Sequence, residues 1–525
     1  MLRLRLNCMC IYKYKPKETA GAMDGYWQTK QGQLVILIVI LIGSVVLLLA
    51  NLGNQYLWQD EAQTALISKT ILTDGVPRGY DGKNYFSQED GAEYGKNYIW
   101  RWHTWLPFYV LAGFYEVFGV STFVSRLPFA LFGLGTVALL YFFARSLWPR
   151  TRIPAIAASL LAISVPFMLL CRQCRYYSMA MFFTLLSLYA YVLLLEGRKR
   201  ASVLLFAATT LLFHSQHIYV AVFFPVVFLH AVIFHCDRLK TLGKVAALVI
   251  VVNTPWLIWL SGMKYASPYQ EAGLLRVLFV FIVRYVHDLA CYVFPVWLFA
   301  VLPVWYIVTR VRTGRFPVSG RQVWERLSLL VFFIVFNIIA VSAKTPSPFF
   351  RYMAPAIPLL TLLAAVIINA AWETHVLIAV AAVVLLVTTG QMKDYLYEIT
   401  HDYDGPEEGI AKYLNEHGSP ADIVAVTMGD MGLKFYTKMR VVGGFTGEDL
   451  SPAKNARWII IRQHGFASKS QKTLDYLREN IPLQKLREIT INYPDILFEN
   501  RENPDEHLFR TDTTEPNVVI YERMN

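Results

Sequence analysis

Apolar runs of roughly 20 residues, the length of a membrane-spanning helix, recur along the chain and constrain its fold more than any other feature. The first is Leu34 to Leu52, and about ten more follow. Composition agrees: of 525 residues, 55% are hydrophobic and only 17% charged, too apolar for one soluble core. The chain is expected to be a polytopic α-helical membrane protein, and an aromatic content of 14% suits interfacial rings and a lined cavity. The first run lacks a small-residue cleavage pattern and reads as a retained anchor. A net charge of +11 would suggest nucleic acid in a soluble protein. Here it fits basic cytoplasmic loops plus arginines for an anionic substrate group. The spacings Cys8/Cys10 and Cys171/Cys174 lack the second pair that a metal or redox site needs, so these cysteines read as unpaired.

Charge sets the expected topology. Arg3, Arg5, Lys13, Lys15 and Lys17 precede the first span and place the N-terminus in the cytoplasm, so the polar loop Asn54 to Arg101 lies outside. Trp105 to Gly119 is short, contains Pro107, and reads as a helix lying along the outer surface. Spans then follow near 127–144, 154–170, 178–195, 201–214, 217–235, 245–261, 291–307, 327–343, 352–371 and 376–390, with 274–288 as a surface or partly re-entrant helix. That makes about 11 spans, with basic loops at Arg145 to Arg152, at Arg198 to Arg200 and at Arg310 to Arg326 all inside. From about Thr400 acids, amides and prolines appear, with strand-like runs at 423–427, 458–461 and 517–521 and helix-like segments at 407–417 and 471–480. This predicts a small soluble α/β domain on the outside. The expected division is 1–32 as a cytoplasmic segment, 33–395 as the membrane domain with its first outer loop at 53–104, and 396–525 as the C-terminal domain.

The acidic pair Asp60-Glu61 sits at the exit of the first span, where loop acids are ordinarily solvated. The same topology puts Glu89, Asp90, Glu93, His103, Arg172, Arg175, Tyr176, His217, Lys344, Arg351 and Tyr352 on the same side of the membrane. Carboxylates with a cationic set suit a base and an anionic leaving group: an acid takes a proton from an acceptor, and arginines hold a phosphate whose charge grows as its bond breaks. The milder reading makes Arg172, Arg175 and Arg351 headgroup contacts, His103 and His217 hydrogen-bonded interface residues, and Arg284 with Asp288 a structural i,i+4 pair. Glu89, Asp90, Glu93, His103 and His217 carry ligand types that suit an acceptor or a divalent cation, although no metal motif is present. Without a P-loop or a dinucleotide fingerprint, the energy for a reaction must come from the substrate or a gradient.

The segment LWQDEAQTALISKTIL after the first span, VSRLPFALFGLGTVALLYFFARSLW, CRQCRYYSMAMFFTLLSLYAYVLLL and RYMAPAIPLLTLLAA occur in this order. Together, over about 34–387, they resemble the membrane glycosyltransferases that use polyprenyl-phosphate sugars, the group of protein mannosyltransferases and bacterial aminoarabinose transferases. The resemblance implies a GT-C fold in a bacterial inner membrane with an outward C-terminal domain. It also implies inverting transfer of a sugar from a polyprenyl-phosphate donor to an extracytoplasmic lipid, glycan or protein, with Asp60 as catalytic base and Glu61 orienting base or acceptor. His103, Arg172, Arg175, Tyr176, Lys344, Arg351 and Tyr352 are then the candidate donor-phosphate contacts. Two departures stand out. The histidine-proline-proline motif of many members reads Arg101-Trp102-His103-Thr104-Trp105-Leu106-Pro107, and the outer-loop acid that some relatives place before the arginine-tyrosine segment is absent from Cys171-Arg172-Gln173-Cys174-Arg175-Tyr176. A transporter or flippase of lipid-linked sugars would instead show ionisable residues at span centres and inverted repeats, whereas only Asn253 and Asn337 stand out within spans. A non-catalytic envelope assembly protein that binds a partner through the C-terminal domain is the third reading.

Overall fold

A computed structural model describes residues 29–261, 274–295, 321–374, 380, 391–463, 468–496, 503–511 and 513–524. The chain enters through α1 (Lys30–Leu49), apolar all round and mostly exposed on the outside of the bundle, as a lipid-facing helix must be. Next, α2 (Gln59–Asp74) opens with Asp60 and Glu61 in its first turn, where negative charge complements the helix dipole. It ends at Gly75, whose left-handed φ of 71° closes the C-terminus. The loop 76–105 leads to α3 (Leu106–Phe118), then α4 (Thr122–Leu147), whose first turn is capped by the Ser121 hydroxyl accepting from Val124 N–H at 3.2 Å.

The bundle continues with α5 (Ile153–Ala162), α6 (Val165–Cys171), α7 (Tyr177–Leu195), α8 (Ala201–Ser215), α9 (Ile218–Phe234), α10 (Leu239–Ser261), α11 (Leu274–Tyr292), α12 (Arg321–Lys344), α13 (Ala356–Thr374) and α14 (Gln391–Thr400). Its core is α4, α5, α7 and α13, with α7 packed against both α4 and α8. Helices α5 and α6 are bent by 63° across a short break, with Pro166 opening the second.

The expected count of about 11 spans is not matched by length and apolarity. Five of the described helices are long and apolar enough to cross, or six if α5 and α6 form one span. The reason is helix length: the expected spans at 201–214, 217–235 and 352–371 fall on apolar helices of 17 residues or fewer, and 106–118 is shorter still. The segment 274–288, expected as a surface or partly re-entrant helix, forms α11, with the Arg284–Asp288 pair at 3.0 Å. The expected basic N-terminus with Cys8 and Cys10, most of 291–307, the basic stretch up to Gly320 and most of 376–390 lie outside the described residues.

The C-terminal region is α15 (Pro406–His417), β1 (Ile423–Val426), α16 (Asp430–Tyr436), β2 (Arg440–Gly443), β3 (Trp458–Ile460), α17 (Ser468–Asn480), β4 (Arg487–Pro494) and β5 (Asn517–Glu522). Its five strands lie in the order β2-β1-β3-β5-β4; the first three are parallel, and β5 runs antiparallel to both β3 and β4. Strands β2 and β4 are the two that sequence patterning passed over; both are edge strands, β2 short and buried, β4 largely exposed. This sheet is joined to the first loop. Asn84 accepts from Val441 N–H at 2.8 Å and donates to the Met439 carbonyl at 3.2 Å, which covers the open edge of β2. Gln59, next to Asp60, donates to Asp430 at 2.7 Å, and the buried Lys434 bridges Asp430 (2.7 Å) and the Tyr85 carbonyl (2.8 Å).

Candidate active site

Asp60 stands at the start of α2 with its carboxylate 16% exposed. Oδ2 lies 3.3 Å from an Arg351 guanidinium nitrogen and 3.5 Å from Arg175, while Oδ1 accepts from the Gln88 amide at 3.2 Å. Arg175 is anchored a second time, donating to the Asp60 carbonyl at 3.2 Å and to the Thr64 hydroxyl at 3.0 Å. Arg351 packs its guanidinium on Phe349, 4.2 Å from the ring centroid, and near Tyr352. Two cations from distant parts of the chain thus meet one carboxylate, at distances longer than a tight bidentate pair.

Histidines and tyrosines close around this group. His103 lies against Tyr176, with centroids 6.0 Å apart, and near Trp100. Burial, then the charges of Arg175, His217 and Arg351, hold its imidazole well below the usual 6.5, so it is neutral at physiological pH. Burial also lowers His217, whose buried Nδ1 has no partner among the described residues. The Tyr352 carbonyl accepts from Tyr219 at 3.2 Å, which ties the Arg351 segment to α9.

The other expected site residues point elsewhere. Glu61 is wholly buried and turned from Asp60: Arg126 grips it at 2.9 and 2.6 Å, and Cys174 N–H donates to it at 2.6 Å. Arg126 also donates to the carbonyls of Leu52 (3.1 Å), Gln55 (2.8 Å) and Tyr56 (3.1 Å), so the pair fastens the α1–α2 link and the 172–176 turn behind the site. Arg172 turns to the end of α1, donating to the carbonyls of Leu48 (3.2 Å), Ala50 (2.7 Å) and Asn51 (3.2 Å). It caps a helix terminus and its fork is directed away from Asp60. Lys344 is exposed at the end of α12.

Glu93 is buried inside the first loop, accepting from Gln63 (2.9 Å), Gln88 N–H (2.8 Å), Glu89 N–H (3.0 Å) and the Ser87 hydroxyl. Burial pushes it up to about 7 against those donors. Glu89 and Asp90 lie on the exposed side of the same turn. Among the described residues no three or more His, Cys, Asp or Glu side chains gather to hold a metal. Cys171 and Cys174 are buried free thiols. Asn253 bonds within its own helix at 2.7 Å, and Asn337 donates to the Met353 sulfur at 3.7 Å.

Gln88 and Arg126 were missed from sequence. A charged residue five positions into an apolar run, as Arg126 is, costs too much unless paired, and that was the available signal. Nothing local marks Gln88.

A bundle of apolar helices, a carboxylate ringed by cations at the start of the helix after the first span, and a sheet domain bonded to the first loop define a multi-pass α-helical membrane protein with a C-terminal α/β region. Residues 102–259 match the family model described as dolichyl-phosphate-mannose-protein mannosyltransferase. No curated protein sequence matches the chain. Among solved structures, ArnT from Cupriavidus metallidurans in the apo state is similar at 14% identity and a TM-score of 0.54, over 94% of this chain and 98% of that one. The same protein bound to undecaprenyl phosphate gives 14% and 0.50 over the same shares. The Archaeoglobus fulgidus oligosaccharyltransferase in complex with Zn and sulfate gives 13% identity and 0.55, over 85% of this chain and 70% of that one. At 13–14% identity these likenesses show a shared fold, and the family model covers the part of the chain from residue 102 to 259.

Proposed function

We propose that the protein moves a sugar from a polyprenyl-phosphate donor to an acceptor on the outer face of a bacterial inner membrane, with inversion at the anomeric carbon and with Asp60 as general base. The observation that carries this reading is the approach of Arg175 and Arg351 to one Asp60 oxygen. Neither guanidinium is bound to Asp60 in a tight fork, with separations of 3.5 and 3.3 Å, so a phosphate can compete with the carboxylate for both. A donor phosphate entering between them competes for the guanidiniums and releases Oδ2 to accept a proton. The acceptor O–H then gives its proton to Asp60, its oxygen bonds to the anomeric carbon, and the bond from that carbon to the phosphate oxygen breaks with its electron pair. The charge that grows on the leaving polyprenyl phosphate falls on Arg175 and Arg351. His103 stays neutral and is suited to hydrogen bonding, and the buried His217 Nδ1, which has no hydrogen-bond partner among the described residues, is a second group that a substrate hydroxyl can satisfy.

The undecaprenyl phosphate of the Cupriavidus structure supports the donor class, since a long isoprenoid needs an apolar body leading to a polar site. We place the N-terminus in the cytoplasm and the C-terminal domain outside. Among the described residues the long spans number six, counting the bent pair once, and helices α8, α9 and α13 are the shorter apolar helices that would add to them; the expected spans 291–307 and 376–390 fall mostly outside the described residues. The domain limits 1–32, 33–395 and 396–525 go with this topology. Glu61 and Arg172 hold the scaffold that positions Asp60 and Arg175.

Purified protein incubated with a panel of polyprenyl-phosphate sugars and envelope extract tests the proposal. Release of polyprenyl phosphate coupled to a product heavier by one sugar residue is expected, with inverted anomeric configuration by NMR. Failure to turn over any donor would count against it.

A further inference from the structure

At the carboxyl ends of β1 and β2, where ligands settle in sheets of this kind, the C-terminal domain faces the first loop across an open crevice of about 300 Å3. That stands at the lower end of the range of roughly 300–1,000 Å3 for small-molecule sites. Its lining includes Asp90, Gly444, Gly447, Glu448, Lys472 and Thr473. The glycines are required: Gly444 and Gly447 both have φ of 65°, and a Cβ on Gly444 would strike the Asp430 carboxylate while one on Gly447 would strike the Asp90 backbone. Backbone therefore forms much of the wall. Leu450 is the one large aliphatic side chain in the lining.

The first loop, which gives Asp90 to the crevice, packs four half-exposed tyrosines against one another, with Tyr94 beside Gly91. Tyr80 and Tyr85 stack at 4.5 Å, and Tyr98 meets Tyr85 at 5.7 Å and Tyr94 at 5.5 Å. Glu448 is among the charges acting on this group. The Tyr85 hydroxyl is pushed up to about 12, first by its hydrogen bond to Tyr98, and Tyr94 to about 12, first by burial. The crevice also adjoins the candidate base. Asp90 lies two residues from Gln88, which contacts Asp60, and the Gly444 wall rests on Asp430, which is bonded to Gln59.

Carboxylates, one ammonium, a threonine hydroxyl and exposed backbone line the crevice and together match the needs of an uncharged polyol, whose hydroxyls both donate and accept. A lipid tail finds too little apolar wall here, and an anion meets Asp90 and Glu448. We propose that this crevice docks the acceptor and that the acceptor presents a carbohydrate there. This rests on the glycosyltransfer reading for what happens to the docked sugar, but not for the binding itself.

The test uses full-length protein in lipid nanodiscs and linear tetrasaccharides of glucose, mannose, galactose, rhamnose, arabinose and N-acetylglucosamine, read by saturation-transfer NMR. At least one should bind. Lys472→Trp, at an exposed helix position, fills the crevice, and Glu448→Gln removes a charge; each should weaken binding at least about tenfold, with polyprenyl phosphate binding, read by 31P NMR, unchanged. Binding to none of the sugars, binding untouched by both substitutions, or capture of an unstructured peptide in their place overturns the proposal. Sugar binding with this sensitivity but no turnover of any donor leaves the crevice standing and removes the transfer reading. Transfer that both substitutions leave unchanged does the reverse.

Discussion

Two neighbouring acids have opposite circumstances. Asp60 is partly exposed and shared among three weak partners, whereas Glu61 is fully buried and locked to Arg126 and Cys174 N–H. Glu61→Gln leaves a buried guanidinium without its counter-charge. It should destabilise the fold by about 3–5 kcal/mol, seen as a lowered thermal midpoint in detergent; an unchanged midpoint would show that the pair is dispensable. Glu93 gives the pH dependence. Its folded value of about 7 lies above the ordinary 4.5, so the folded loop binds the proton more tightly than the unfolded chain. Stability from this group is present below about pH 4.5 and is lost as pH rises to about 7. The loop should be easier to open at pH 8 than at pH 5 by up to about 3 kcal/mol, measured by hydrogen exchange at 86–93 after correction for intrinsic exchange rates. Glu93→Gln should abolish that difference.

At the scale of elements, the site depends on close packing behind it. A Cβ on Gly133 of α4 would come within 2.7 Å of the Cys171 side chain at the end of α6, immediately before the turn that carries Arg175. Gly133→Val should therefore cost about 1–3 kcal/mol and reduce transfer, while Gly113→Val on α3, where nothing lies within 4 Å, should change neither. Thermal midpoint and turnover of the two variants decide this. Element existence was readable wherever an apolar run was long, as in α1, α4 and α7, because hydropathy alone specifies such helices. It was less readable where helices are short, and the count of crossings suffered there. Edge strands β2 and β4 escaped for different reasons: β2 is buried but only four residues long, from Arg440 to Gly443, whereas β4 is largely exposed and has no continuous apolar run. At the site, Asp60, Arg175 and Arg351 were legible from side of membrane and charge. The direction of each fork was not: Arg172 and Arg175 are three residues apart and look alike in sequence, but only the second lies beside the carboxylate, the first being taken by the open carbonyls of α1.

The whole molecule joins two chemistries that neither half supplies alone. Helices give an apolar body, suited to the lipid carrier we propose, and the sheet domain, bonded to the first loop through Asn84, Gln59 and Lys434, holds that loop over the end of the bundle. Asp60 lies where these meet. Its replacement by Asn keeps the size and an acceptor for Gln88, removes the proposed base, and leaves Arg175 and Arg351 with no carboxylate to compete with a phosphate. The most direct measurement is thus transfer by Asp60→Asn alongside its affinity for polyprenyl phosphate. The account expects turnover to fall by at least about 100-fold with lipid phosphate bound as tightly as by the native protein, or more tightly. Turnover at the native rate would contradict it.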